Sequence, residues 1–239
     1  LEGVNKLRHY LFVKATAAYG VHILTALGAG LGLWAIVLTY DGFYQEAVWV
    51  LAVAAIIDSI DGALARITET KEHAPKIDGA LMDNIVDFIT WTIAPLLWIY
   101  ATMELPVWIL GPCAIASAFG FSNIRAKTDD NFFLGFPSYW NIVVFYIFLL
   151  DLPSVFASAI LVMFAVTIFL PVKFVYPTRT KYLRPVTLVL AVAFILQLVA
   201  LMYYFDESSA WLTYSSFIFP FYYFGLSFYV NLKTIETSP

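Results

Sequence analysis

The sequence predicts an all-α, polytopic helical membrane protein with about eight transmembrane helices and an N-terminal interfacial helix. Composition, the lengths of the apolar runs and the placement of charge all point this way. Of 239 residues, 62% are hydrophobic and 13% charged, with mean hydropathy +0.81. An ordinary soluble domain is roughly 45–50% apolar and about 25% charged. The 13 basic and 17 acidic residues cannot coat a soluble globule of this length. The net charge of −4 offers no basic footprint for nucleic acid. Cys113, the single cysteine, has no partner for an internal disulfide.

A spanning helix needs about 20 mostly apolar residues. Eight segments qualify: roughly 18–40, 46–66, 80–101, 106–124, 138–150, 153–171, 185–205 and 209–231. The fifth is short, and only Asp151 and Leu152 part it from Pro153, so the fifth and sixth can also be read as one kinked hairpin. Runs such as 186–200 do not alternate, which excludes a β-barrel. Residues 1–17 mix Lys6, Arg8, His9 and Lys14 with Leu7, Tyr10, Leu11, Phe12 and Val13, as a helix lying on a membrane surface does. The opening Leu1-Glu2-Gly3, without Met, reads as a trimmed start. No repeat or linker divides the rest, so 1–239 reads as one domain, with 18–239 as the transmembrane bundle.

Charge sets the orientation. With the N-terminus in the cytoplasm, segments 1–17, 66–79, 125–137, 172–184 and 232–239 hold all 13 basic residues. The opposite loops hold Asp41, Glu46, Glu104, Asp151, Asp206 and Glu207. The positive-inside rule therefore places both termini in the cytoplasm.

Carboxylates inside spans are costly and mark function by default. The second span ends Asp58-Ser59-Ile60-Asp61-Gly62-Ala63-Leu64-Ala65-Arg66, and the third begins Gly79-Ala80-Leu81-Met82-Asp83-Asn84-Ile85-Val86-Asp87. Three- and four-residue spacings put Asp58, Asp61 and Gly62 on one face, and Gly79, Asp83 and Asp87 on another. Joined by a short basic loop, the two stripes can converge at the inner membrane surface. Four carboxylates in low dielectric need cations or protons. Oxygen-only ligands favour Mg²⁺ or Mn²⁺, and a bridged pair of such ions suits displacement at phosphorus. Gly62, Ala65 and Gly79 leave room there for a bulky ligand. Taken singly, each Asp is an ordinary interfacial residue and each Gly or Ala an ordinary packing site. A cation or proton carrier is the other reading, but the one-sided placement of the acids weighs against a conduit.

These residues resemble the signature of the CDP-alcohol phosphotransferases, D-x2-D-G-x2-A-R followed by G-x3-D-x3-D. Here it stands as Asp58, Asp61, Gly62, Ala65 and Arg66, then twelve residues, then Gly79, Asp83 and Asp87. The usual spacer is about eight. A spacer of twelve, eight spans and the segment Gly20-Val21-His22-Ile23-Leu24-Thr25-Ala26 resemble the bacterial phosphatidylcholine synthase branch. The resemblance implies that Asp58, Asp61, Asp83 and Asp87 hold two divalent ions, Mn²⁺ or Mg²⁺, with Asp87 also the general base. It implies that Gly62, Ala65, Arg66, Gly79 and Thr25, and less surely His22, line the CDP site. The implied substrates are CDP-diacylglycerol and choline, the products CMP and phosphatidylcholine, and the setting a homodimer in a bacterial inner membrane with its site at the cytoplasmic face. Another acceptor, such as serine, glycerol phosphate or inositol phosphate, uses the same chemistry.

A quaternary ammonium is recognised by aromatic faces. Position singles out Trp91, one turn beyond Asp87; Tyr19, at the start of the first span; and Tyr139 and Trp140, which open the fifth. Each is equally an interfacial-belt residue.

Overall fold

A computed structural model describes residues 2–207 and 209–236, without the side chains of Val4, Leu7, Asp206 and 234–236. Asp206 among the outer-loop acids, and the C-terminal residues 237–239 assigned to the cytoplasm, thus lie outside the described side chains or residues. Where the sequence suggests one domain, the chain packs as two compact units, one ending at Ala101 and one beginning at Thr102.

The first unit is built on α1 (Glu2–Tyr40), which runs unbroken for 39 residues. At 1.5 Å per residue it is about 58 Å long, nearly twice the hydrocarbon thickness of a bilayer. No turn separates the basic segment 2–17 from the apolar remainder. Chain reversal at Asp41-Gly42 leads into α2 (Tyr44–Ile67), and a short α3 (Thr70–His73) follows. Next comes α4 (Gly79–Asp87), capped by Asp78, whose carboxylate accepts from the amides of Ala80 and Leu81 at 3.1 Å. That cap satisfies amides that the first helical turn leaves without partners. A π-helical stretch, Phe88–Ile93, joins α4 to α5 (Ala94–Met103).

α1 packs against α2, α3, α4 and the π turn. Two glycines make this possible. A Cβ on Gly28 would stand 2.5 Å from Cγ1 of Val86, and one on Gly32 would stand 2.6 Å from Cγ2 of Ile89. The apolar core of this unit, Ala35, Val50, Leu51 and Ala94 with Leu31, Ile36 and Leu38, lies toward the C-terminal part of α1. The other part is left for polar residues.

The second unit contains α6 (Val107–Ser122), α7 (Trp140–Leu149), α8 (Ser154–Ile168), α9 (Arg184–Tyr204), α10 (Ala210–Ser216) and α11 (Ile218–Glu236). Two three-residue strands, β1 (Phe132–Leu134) and β2 (Lys173–Val175), pair antiparallel with Phe133 opposite Phe174. Asn231 of α11 ties to the backbone of Lys173 through both side-chain atoms, at 2.9 and 2.8 Å. At Gly135, φ is +81°, and a Cβ would collide with the carbonyl oxygen of Ile168. Only glycine suits both conditions.

Among the described residues, four helices are long and apolar enough to cross a membrane: Arg8–Tyr40, Tyr44–Ile67, Gly79–Met103 and Arg184–Tyr204. Val107–Ser122, Trp140–Leu149 and Ser154–Ile168 are apolar but shorter. The expected span 209–231 is divided at Phe217 into α10 and α11. The fold is thus a helical, polytopic membrane architecture with helices of unequal length.

Candidate active site

α2 and α4 bring carboxylates together. Oxygens of Asp58, Asp83 and Asp87 lie within 4.8 Å of one another, on half-buried side chains. At an effective dielectric of about 20, each such pair of anions repels by roughly 3–4 kcal/mol. The donor set is all carboxylate oxygen, hard and anionic, which fits Mg²⁺ or Mn²⁺.

Asp61 is held from α1. It is 6% exposed, and Thr25 of α1 donates to its Oδ2 at 2.6 Å. This is the length of a charge-assisted O–H···O⁻ bond. Thr25 and Asp61, expected in separate roles, are direct partners, and Oδ1 of Asp61 is the atom that can serve another ligand.

Gly79 faces α1 as well. A Cβ there would stand 2.9 Å from Cε1 of His22 and 3.4 Å from its Nδ1. The glycine therefore makes room for the His22 ring, which is buried and whose Nε2 has no hydrogen-bond partner. Gly62 is exposed, with the Arg66 guanidinium 3.7 Å from where its Cβ would be. Arg66 is exposed on the last turn of α2, and Ala65 beside it is half-buried.

A second acidic group, Glu69, Glu72 and His73, lies in the connection around α3. It has a cation beside it, because Lys14 Nζ is 3.1 Å from Glu69 Oε2, where His73 Nε2 also approaches to 3.3 Å. The Lys14 hydrogen bond, then its charge, hold the Glu69 carboxyl below its usual range. These contacts fasten α1 to the loop.

The expected choline-contacting residues divide between the units. Trp91 is half-buried within the π turn, whose wider spacing displaces it from the α-helical stripe through Asp87. Tyr19 is 38% exposed and edge-on to His22, with centroids 6.4 Å apart. In the second unit, Trp140 is fully buried, donating from Nε1 to Ser117 at 2.7 Å. Tyr139 is half-buried among Phe133, Phe136 and Tyr223. The structure adds Asp78 as the α4 cap, a role that an Asp before a helical Gly-Ala-Leu could have signalled.

The CDP-alcohol phosphatidyltransferase family model matches residues 21–171, which include every residue of the acid cluster. A phosphatidylcholine synthase of Legionella pneumophila is 41% identical over 172 residues, covering 70% of this chain and 68% of the relative. One from Borreliella burgdorferi is 37% identical over 180 residues, 74% of this chain and 77% of the relative. One from Pseudomonas aeruginosa is 36% identical over 188 residues, 77% and 78% of the two chains. A family match across more than half of the sequence, with three of the four signature aspartates drawn together in space, establishes that this chain belongs to the CDP-alcohol phosphatidyltransferase family.

Proposed function

We propose that this chain transfers the phosphatidyl group of CDP-diacylglycerol to choline, releasing CMP and leaving phosphatidylcholine in the bilayer. The meeting of Asp58, Asp83 and Asp87 within 4.8 Å carries the reading, because it builds a hard-cation site from the family signature. The names of the relatives support choline as the acceptor.

In this reading Asp58, Asp83 and Asp87, with Oδ1 of Asp61, hold two Mn²⁺ or Mg²⁺ ions. When bound, such ions neutralise the diphosphate and stabilise charge developing in a displacement at phosphorus. The side chains do the rest. Asp87 takes the proton from choline's hydroxyl, a poor nucleophile until deprotonated. The oxygen attacks the lipid-side phosphorus, and the bond from that phosphorus to the oxygen of CMP breaks. Arg66, on the exposed end of α2, offsets the charge gathering on CMP. Gly62, Ala65, Gly79 and Thr25 bound the nucleotide. One substrate is a lipid and the other water-soluble, so a site at a helix end near the membrane surface serves both. We further infer a homodimer in a bacterial inner membrane, with both termini and the site on the cytoplasmic side.

The test is direct. Membranes containing the protein receive CDP-diacylglycerol, Mn²⁺ or Mg²⁺ and one labelled alcohol at a time. Labelled phosphatidylcholine with stoichiometric CMP is expected from choline. EDTA abolishes it, and either ion restores it. A labelled lipid from serine, glycerol phosphate or inositol phosphate, with none from choline, overturns the choice of acceptor. No lipid from any alcohol overturns the enzyme.

A further inference from the structure

Within the second unit, the start of α9 and the end of α11 gather basic charge. Residues 172–205 and 208–235 contain no Asp or Glu, yet they hold Lys173, Arg179, Lys181, Arg184 and Lys233. These five are not equivalent. Lys173 is committed to Asp130 at 2.7 Å, and the Arg179 guanidinium lies over the Tyr176 ring at 5.1 Å. Lys181 lines a shallow groove that Asp129 and Asp130 also line. Arg184 is exposed, and among the described residues its guanidinium has no ion pair. Lys233 is exposed as well, with its ammonium held over two rings, 5.1 Å from the centroid of Tyr229 and 5.9 Å from that of Tyr182.

Two tethers bring Arg184 and Lys233 to the same end of the helix pair. The rings of Tyr182 and Tyr229 lie 5.8 Å apart, tilted by 30°. Further along, Thr187 of α9 and Tyr222 of α11 share a hydrogen bond of 2.7 Å. Arg184 falls between Tyr182 and Thr187 in sequence, as the first residue of α9. Because α9 is long and apolar enough to cross a membrane, its end meets the headgroup layer of a bilayer. Along the same helices, Val186 and Val189 of α9 and Phe228 of α11 are exposed. Cations at the headgroup level, with apolar side chains turned outward beside them, match a phospholipid in both charge and polarity.

We propose that Arg184 and Lys233, steadied by Tyr182 and Tyr229, form a binding site for the phosphodiester of an anionic phospholipid. A guanidinium offers a planar fork of N–H donors that matches phosphate oxygens. The Lys233 ammonium adds a point charge whose direction the two rings set. Phosphatidylcholine carries its own trimethylammonium beside the phosphate, and both rings that could receive that group already carry Lys233. An anionic headgroup brings no such cation, so it is preferred. Each basic residue at a membrane surface favours anionic lipid by about fivefold, and two by about 25-fold. Lys181 contributes little, because Asp129 and Asp130 line its groove. A diffuse attraction between basic loops and the membrane would instead weigh Lys181 and Arg184 alike. The site does not depend on which alcohol is the acceptor.

The experiment separates a local site from diffuse charge. Dioleoyl phosphatidylglycerol or dioleoyl phosphatidylcholine is titrated into the full chain in detergent, and the first bound lipid is counted by native mass spectrometry. Wild type is expected to bind phosphatidylglycerol about 25-fold more tightly than phosphatidylcholine. Arg184→Gln lowers the phosphatidylglycerol affinity about fivefold, and Arg184→Gln with Lys233→Gln about 25-fold, while the phosphatidylcholine affinity stays within about twofold. Lys181→Gln, which removes the same charge three positions away, stays within about twofold for both lipids. Thermal midpoints in the same detergent check that each variant is folded; if the double variant is not, Arg184→Gln against Lys181→Gln decides. Inorganic phosphate, equimolar with the lipid, leaves phosphatidylglycerol bound. Equal affinity of wild type for the two lipids, or equal losses in Arg184→Gln and Lys181→Gln, overturn the site. Displacement of the lipid by equimolar phosphate also overturns it, because the ligand is then a free anion.

Discussion

Replacing Thr25 by Val removes one hydroxyl at nearly constant volume. That hydroxyl donates to Asp61 Oδ2 at 2.6 Å, and the two residues are 7% and 6% exposed. A hydrogen bond to a charged group is worth about 1.5–3 kcal/mol. If it orients Asp61 for its part in the site, its loss lowers kcat/KM by about 10- to 150-fold, at one decade per 1.4 kcal/mol. Thr25→Ser keeps the donor and stays within a few-fold of wild type. The assay is labelled choline incorporation per mole of folded protein, with the midpoint of thermal unfolding measured in the same detergent. The Mn²⁺ requirement is titrated alongside, because a loosened Asp61 raises the ion concentration needed for half-activity. Thr25→Val at wild-type kcat/KM and wild-type Mn²⁺ dependence refutes the coupling. So does a variant that merely unfolds sooner while its folded fraction works normally.

Three further outcomes follow. Asp83→Asn and Asp87→Asn each abolish CMP release with choline while the protein still inserts in membranes; full activity in either removes the carboxylate cluster from the mechanism. Gly28→Ala, whose new methyl meets Val86 at 2.5 Å, lowers stability by about 1–3 kcal/mol, and adding Val86→Ala recovers most of it; additive losses in thermal midpoint argue against a close seam between α1 and α4. Burial works to raise the Asp130 carboxyl, but hydrogen bonds from Lys173 and Thr128 bring it below its usual range. Its contribution is therefore present above about pH 4 and is lost as pH falls through the lowered value. With the side chain 53% exposed, the contribution is under about 1 kcal/mol. The midpoint of Asp130→Asn accordingly falls slightly less than that of wild type between pH 7 and pH 3, and a steeper fall contradicts the pairing.

The aspartates were legible in the sequence because helical periodicity alone places residues three or four apart on neighbouring positions. Their division of labour was not. A step of three residues turns about 300° around a helix, so Asp61 points some 60° away from Asp58. That offset lets Asp58 meet Asp83 and Asp87 while Asp61 meets Thr25. Spacing shows that two groups share a side of a helix; only the neighbours show which way each one leans. The π turn was hidden for a different reason. Phe88–Ile93 holds two threonines among apolar residues and carries no glycine or proline, so nothing in it marks the wider winding that shifts Trp91.

The first helix gains most from the structure. As sequence it is an apolar span with scattered glycines. As structure it carries a stripe of His22, Thr25, Gly28 and Gly32 along one face, with each residue used by a neighbour. The His22 ring fills the space that Gly79 leaves open, and Thr25 holds Asp61. Gly28 and Gly32 admit Val86 and Ile89, which flank Asp87 in sequence. The reach of α1 past α2 to α4 and the π turn thus depends on two missing side chains. The acid trio comes from α2 and α4, yet α1 is the helix packed extensively against both. Bulk added at Gly28 or Gly32 should therefore damage a carboxylate site that neither residue touches, by pushing α4 away from the helix that positions it.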